Sequence, residues 1–188
     1  MKKRIAIFAS GSGSNAENIV RYFARQTDLI FPLIVSNNAN AYVHERAMKM
    51  QIPSVTITKT QLEDPTFLLD LLGRYHIDAI VLAGFLVRIP ARIIDAFPNN
   101  IINIHPALLP KFGGKGMYGH RVHEAVKAAG ETESGITIHF VNENYDEGNV
   151  IFQAKCTLAP SDTPQSIAQK VQELEYKFFP QIISKLWL

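Results

Sequence analysis

Asn103-Ile104-His105-Pro106, continued by Ala107-Leu108-Leu109-Pro110 and answered further along the chain by Asp146-Glu147-Gly148, supplies three chemically distinct groups. An amide can donate to an oxygen that gains negative charge, an imidazole can move a proton near neutral pH, and a carboxylate can orient and charge the imidazole. Acyl transfer needs those three groups and neither a metal nor a covalent nucleophile. The apolar pair Ile101-Ile102 reads as the start of a buried strand, and Pro106 cannot continue a ladder, so Asn103 and His105 fall at the strand's C-terminal end. Residues two apart on a strand point the same way, so both side chains face one site. In open α/β sheets the ligand crevice lies outside the carboxyl ends of the strands. The alternative for such a pair is a strand-end His and Asn that only satisfy backbone groups.

A second constellation, Ser10-Gly11-Ser12-Gly13-Ser14-Asn15, joins the first strand to the first helix. Free backbone N–H groups and the positive end of the helix dipole suit an anion there, and a phosphate would fit. Gly11-x-Gly13-x-x-Ala16 also matches the dinucleotide fingerprint, which requires an acidic residue at the end of the second strand. That strand ends Val35-Ser36-Asn37-Asn38, which argues against a nicotinamide cofactor, and no Gly-Lys-Ser/Thr tail makes the loop a P-loop. Ser14 followed by Glu17 is equally readable as a capping box, and a cap can coexist with an anion site.

Other residues carry weaker signals. His120 and His123, with His139 or Cys156, could be imagined as metal ligands, but no Cys-x-x-Cys or His-Glu-x-x-His frame supports a metal. Cys156 has no neighbouring signature of an activated nucleophile and reads as a strand residue. Gln172 and Glu175 lie three apart on one helical face beside the apolar stripe, which by itself reads as a solvated face. Arg88, after Gly84-Phe85-Leu86-Val87 at the end of another strand, stands where an anionic ligand could meet it or where a surface salt bridge could form.

These groups need a scaffold, and the hydropathy pattern supplies one. Strands at Ile5–Phe8, Leu29–Val35, Val55–Ile57 and Ala79–Ala83 alternate with helical patterns through Ile19, Val20 and Phe23, from Tyr42 to Met50, and from Phe67 to Tyr75. Such βαβ repetition predicts a Rossmann-like, mostly parallel sheet flanked by helices. After the strand ending at His105 come a Gly-rich loop, a helix near Val122–Ala129, and strands at Ile136–Val141 and Val150–Thr157. The short link Asn142–Asn149 leaves no room for a helix, so these two strands pair as an antiparallel hairpin. A last helix begins after Pro164, with Ile167, Val171, Leu174 and Phe178 in its apolar stripe, and Pro180 should kink or end it. The 188 residues fit one domain. A formal charge of +2 and the lack of a basic block argue against nucleic acid as partner. A single cysteine rules out an intramolecular disulfide framework. With no signal-like segment and no apolar span of about 18 residues, a cytoplasmic protein acting on small molecules, away from membranes, is expected.

Gly-Ser-Gly-Ser-Asn at residues 11–15, Ala83-Gly84-Phe85, the Asn103–Pro110 run, and Asp146-x-Gly148 after His139-Phe140-Val141 closely resemble the phosphoribosylglycinamide formyltransferases of the folate-dependent formyltransferase family. The likeness covers nearly the whole chain in the same order. It implies the formyltransferase fold over residues 1–188 as a single domain. It also implies transfer of a formyl group from 10-formyltetrahydrofolate, as co-substrate, to the amine of glycinamide ribonucleotide in purine synthesis. The Asn-x-His and Asp set is shared across the wider family, so 10-formyltetrahydrofolate hydrolase or another folate-dependent formyltransferase is the alternative. Those relatives carry an N-terminal regulatory or additional C-terminal domain that is not expected here. A sensor domain that keeps the scaffold without turnover is the rival outside enzymology.

By the same resemblance, Asn103, His105 and Asp146 are the catalytic residues. Asn103 and protonated His105 would donate to the oxyanion, while Asp146 would favour the imidazolium and help move the amine proton. Gly13, Ser14 and Asn15 would hold the phosphate of the ribonucleotide, and Gln172 and Glu175 its ribose end. Leu86, Val87, Arg88 and Ile89, with Asn103, Asn142, Glu143, Asn144 and Tyr145, would line the folate pocket. No metal is implied, and the molecule would be a monomer or homodimer. This chain departs from the common family form in a longer loop, Phe112–Gly119, and in reading Leu-Val-Arg-Ile where Met-Arg-Ile-Leu is frequent. Lys59 is a candidate for the basic residue that meets the folate glutamate tail.

Overall fold

Short apolar runs and helical stripes alternate from the first strand onward, and a computed structural model describing residues 2–188 shows how they pack. In chain order the elements are β1 Lys3–Phe8, α1 Ser14–Tyr22, β2 Leu29–Ser36, α2 Val43–Lys49, β3 Ser54–Thr56, α3 Lys59–Glu63 and α4 Pro65–Arg74. There follow β4 Ala79–Leu82, α5 Ala91–Ala96, β5 Ile101–His105, α6 His120–Ala128, β6 Glu133–Phe140, β7 Val150–Thr157 and α7 Pro164–Trp187. The strands form one sheet in the order β3-β2-β1-β4-β5-β6-β7. Pairing is parallel from β3 through β5 and antiparallel for β5–β6 and β6–β7. The expected mostly parallel sheet with its antiparallel C-terminal hairpin is therefore observed.

Alternation along the strands divides the core. Ile5 and Ile7 bury against α1, α2, α6 and α7, while Ala6 and Phe8 bury against α3, α4 and α5. Because β1 lies between β2 and β4, the loops leaving β1 and β4 diverge and open a crevice at the strand ends. Two short helices, α3 and α5, are absent from the sequence pattern, since five or six residues are too few to show a period. Local chemistry explains α3: Thr58 and Gln61 form a reciprocal capping box. Among the described residues no helix is long and apolar enough to cross a membrane.

Pro180 neither ends nor divides α7, which runs on to Trp187. A proline there removes the N–H that would bond the carbonyl four residues back, that of Tyr176. Asn18 of α1 supplies the substitute, its Nδ2 donating to the Tyr176 oxygen at 2.9 Å. One side chain thus satisfies the freed carbonyl and fastens α1 to α7. Loss of that donor leaves a partly buried carbonyl unmet, so Asn18→Ala should lower stability by about 1–2 kcal/mol. Urea unfolding checks this, and an unchanged midpoint would show that solvent replaces the amide without cost.

Candidate active site

Strand register brings the chemistry together. Asn103 of β5 lies directly opposite His139 of β6, and His105 opposite Thr137. Directly opposed residues share a face, so Asn103, His105 and His139 project together while Ile102, Ile104 and Ile138 fill the other side. His139 Nδ1 lies 2.8 Å from the Phe140 carbonyl, which can only accept, so Nδ1 donates there. Its Nε2 then accepts from Asn103 Nδ2 at 3.1 Å. That bond fixes the amide with its oxygen turned away and leaves the second Nδ2 hydrogen free. In the sequence His139 carries no site role beyond that of a possible metal ligand. The alternation of Thr137 and His139 against Ile136 and Ile138 was the available signal that it shares the face of Asn103.

Asp146 reaches this face from the β6–β7 link. Gly148 is essential to the path, because a Cβ there would overlap the Phe140 carbonyl. Asp146 itself adopts a left-handed conformation with φ 57°, which Asp tolerates better than most residues. Its Oδ2 lies 3.4 Å from His105 Nδ1 and accepts from Gly114 N–H at 2.9 Å, and its Oδ1 lies 3.6 Å from His139 Nε2. Burial pushes the Asp146 carboxyl up, but proximity of His139, the charge of His105 and the Gly114 N–H outweigh it, and the net shift is downward. It is a carboxylate at neutral pH. His105 Nε2 lies 2.7 Å from the Phe112 carbonyl and donates to it, so in the neutral ring Nδ1 carries the lone pair. Burial lowers the His105 pKa; Asp146 and the Phe112 carbonyl raise it only in part, and His139 lowers it further. The net shift is downward, toward the neutral ring, because desolvation outweighs the Asp146 charge.

At the other end of the cavity stands the glycine loop. Gly13, not Ser14, is the N-cap of α1, and no side chain caps it. The capping-box alternative is thus overturned. Glu17 is instead engaged by Arg46 and Arg21. The N–H groups of the first turn stay open to a ligand. Asn15 is buried, donates from Nδ2 to Glu175 Oε2 at 2.8 Å, and leaves its Oδ1 without a partner. Burial pushes the Glu175 carboxyl up, and the Asn15 bond offsets this in part. Glu175 is therefore no solvated-face residue, whereas Gln172, one turn away, is exposed at the rim.

Both ends belong to one cavity of about 660 Å³, within the roughly 300–1,000 Å³ usual for small-molecule sites. Gly13, Ser14, Asn15, Gln172 and Glu175 line it with Asn103, His105 and Asp146, and so do Leu86 through Ile89, Asn142, Asn144 and Tyr145. Glu143 does not; it is exposed on the outer side of the link, where Asn142 Oδ1 takes the Asn144 N–H and turns the chain past it. Lys59 also lies outside the cavity lining, at the start of α3 beside Glu63. Arg88 lines the cavity and is exposed. The loop Gly114–Gly119 forms another wall, and His120 and His123 line the cavity beside it. Burial lowers the pKa of His123 to about 4. Among the described residues no group of three or more His, Cys, Asp or Glu could hold a metal ion. Leu86, Tyr118 and Tyr145 are exposed apolar groups on the lining and suit a flat, partly apolar ligand.

The Glu175 shift sets a pH signature. Since burial raises its folded value, its stabilising contribution is full below the unfolded value of 4.5 and is lost as pH rises through the folded value. Glu175→Gln keeps an acceptor for Asn15 and cannot ionise. The melting temperatures of variant and parent should agree in acid, and the variant should gain on the parent as pH rises. A variant that gains toward acid would contradict the buried carboxyl.

Residues 3–183 match the formyl transferase family. The chain is 39% identical to the chloroplastic phosphoribosylglycinamide formyltransferase of Arabidopsis thaliana over 98% of its own length and 65% of that protein, so it spans less than two thirds of that relative. It is 35% identical to the phosphoribosylglycinamide formyltransferase of Bacillus subtilis (strain 168), covering 98% of this chain and 94% of the relative. The crystal structure of glycinamide ribonucleotide transformylase 1 from Geobacillus kaustophilus superposes with a TM-score of 0.91 at 30% identity, covering 100% of both chains. A match across nearly every residue, on a fold that gathers Asn103, His105 and Asp146 at one cavity, means that the chain belongs to the formyl transferase family.

Proposed function

We propose that this chain transfers the formyl group of 10-formyltetrahydrofolate to the amine of glycinamide ribonucleotide, giving formylglycinamide ribonucleotide and tetrahydrofolate. The observation that carries the reading is a single cavity with Asn103, His105 and Asp146 between an open glycine loop and an apolar mouth. Gly13, Ser14 and Asn15 bind the phosphate, and Glu175 and Gln172 the ribose end. Leu86 to Ile89 with Asn142, Asn144 and Tyr145 receive the folate. The folate supplies an activated formyl carbon and a nitrogen that takes a proton on leaving.

Asn103 gives its free Nδ2 hydrogen to the formyl oxygen as that oxygen gains charge, an arrangement fixed in advance by His139. Neutral His105 accepts the surplus amine proton at Nδ1, and Asp146, 3.4 Å away, stabilises the resulting imidazolium. His105 then gives that proton to the leaving nitrogen, so no proton is gained or lost overall. Placement in the cytoplasm and a monomeric or homodimeric state complete the reading. Hydrolysis would use the same groups with water in place of the amine. A spectroscopic assay of folate deformylation with and without glycinamide ribonucleotide tests the proposal, and turnover that does not need the ribonucleotide would overturn it.

Two sets of variants test the roles. His105→Ala and Asp146→Asn should each lower kcat on the order of a hundredfold or more, with far smaller effects on ligand affinity. Because His105 acts as a base, kcat/KM, which reports the free enzyme, should fall as pH drops through a value below 6.5. Asp146→Asn removes a charge that raises the His105 pKa, so it should move the acid limb lower still. An acid limb that moves upward would exclude this pairing. Asn103→Asp keeps the shape but turns a donor into a negative acceptor and should be slower than Asn103→Ser. The reverse order in steady-state kcat would remove Asn103 from oxyanion stabilisation.

A further inference from the structure

Arg46 lies on α2 and lines no part of the cavity, yet its Nε donates to the Ser12 carbonyl at 2.8 Å. One peptide earlier the Val43 N–H donates to the Gly11 carbonyl at 3.1 Å. A trans peptide is planar with its C=O and N–H pointing in opposite directions. Pinning the carbonyls of Gly11 and Ser12 toward α2 therefore aims the N–H groups of Ser12 and Gly13 away from α2, toward the cavity that both residues line. Glu17 holds the Arg46 guanidinium in place, and the Tyr42 ring lies 5.1 Å beneath it. Glu17 is shared with Arg21, and the direct contact of Arg46 with the loop is its hydrogen bond to the Ser12 carbonyl.

Gly13 completes the fit. It is left-handed at φ 70°, and a Cβ there would run into Val43, so α2 and the loop are in direct contact. On the cavity side, the unpartnered Oδ1 of buried Asn15 marks a polar wall that is incomplete without a ligand. We infer that Arg46 is a positioning residue for the phosphate of the ribonucleotide, holding the glycine loop with its N–H groups turned toward the anion. The inference rests on the proposed function, in which that loop receives the phosphate.

Arg46→Met keeps the aliphatic stem over Tyr42 and removes the donor to Ser12. It should raise the KM for glycinamide ribonucleotide on the order of tenfold while kcat and the KM for the folate stay within about twofold. Competitive inhibition by inorganic phosphate should weaken in parallel. Arg46→Lys, which can still reach Ser12 with one donor but lacks the planar fork, should recover part of the loss. An unchanged ribonucleotide KM, or an equal rise in both KM values, would overturn the positioning role. Asn15→Ala in the same assay separates the two levels: a raised ribonucleotide KM there with none in Arg46→Met sinks the role of Arg46 alone. No change in either variant sinks the assignment of the ribonucleotide to this end of the cavity.

Discussion

A carboxylate taken out of water has to be met by a donor, and Asp146 gathers three separate parts of the chain around it. It accepts from the Gly114 N–H of the loop ahead of α6 and lies 3.4 Å from His105 of β5 and 3.6 Å from His139 of β6. An unmet buried charge would cost several kcal/mol, so these parts cannot drift independently. The same demand accounts for Gly148, since only a residue without a Cβ lets the link return closely enough to bring Asp146 to His139. The loop pays for its place in backbone conformation: Phe112, Gly114, Gly116 and Gly119 all adopt positive φ. In exchange its Phe112 carbonyl fixes the proton of His105 on Nε2 and leaves Nδ1 for chemistry.

Burial and charge pull His105 in opposite directions, and their balance sets its role. An imidazole held mainly by Asp146 would rest as a cation and could only give a proton. Desolvation is the larger effect and shifts His105 toward the neutral form, which is the form able to take a proton. In the proposed reaction Asp146 would stabilise the charge that appears on the ring, which is where an electrostatic contribution affects rate rather than binding.

The glycine-loop end of the cavity follows the same logic with backbone in place of side chains. α2 turns the peptides of the glycine loop, α7 brings Glu175 to Asn15, and Asn18 fastens α7 to α1 where Pro180 breaks its ladder. The apolar stripe of α7 buries Ile167, Val171 and Phe179, and the adjoining stripe of Ala168, Gln172 and Glu175 faces the cavity. One helix thus serves as both core and wall.

Much of this was legible in residue order. Alternating strands and helices required a mostly parallel sheet, the short Asn142–Asn149 link required a hairpin, and Pro106 placed Asn103 and His105 at a strand's end. These are local consequences of period, length and proline chemistry, and a single sequence carries them. Distances between segments far apart in the chain are not carried in that way. The pairing of Asn103 with His139 depends on the β5–β6 register, and the downward shift of His105 on how much protein closes over it. Likewise the cap at Gly13 instead of Ser14 depends on α2 pressing against the loop, and the continuity of α7 through Pro180 on an amide from another helix. The sequence by itself determined which groups were available and at which strand ends and loops. Tertiary packing decided which hydrogen bonds those groups make and which proton each one holds, because desolvation and hydrogen-bond partners exist only once distant segments meet.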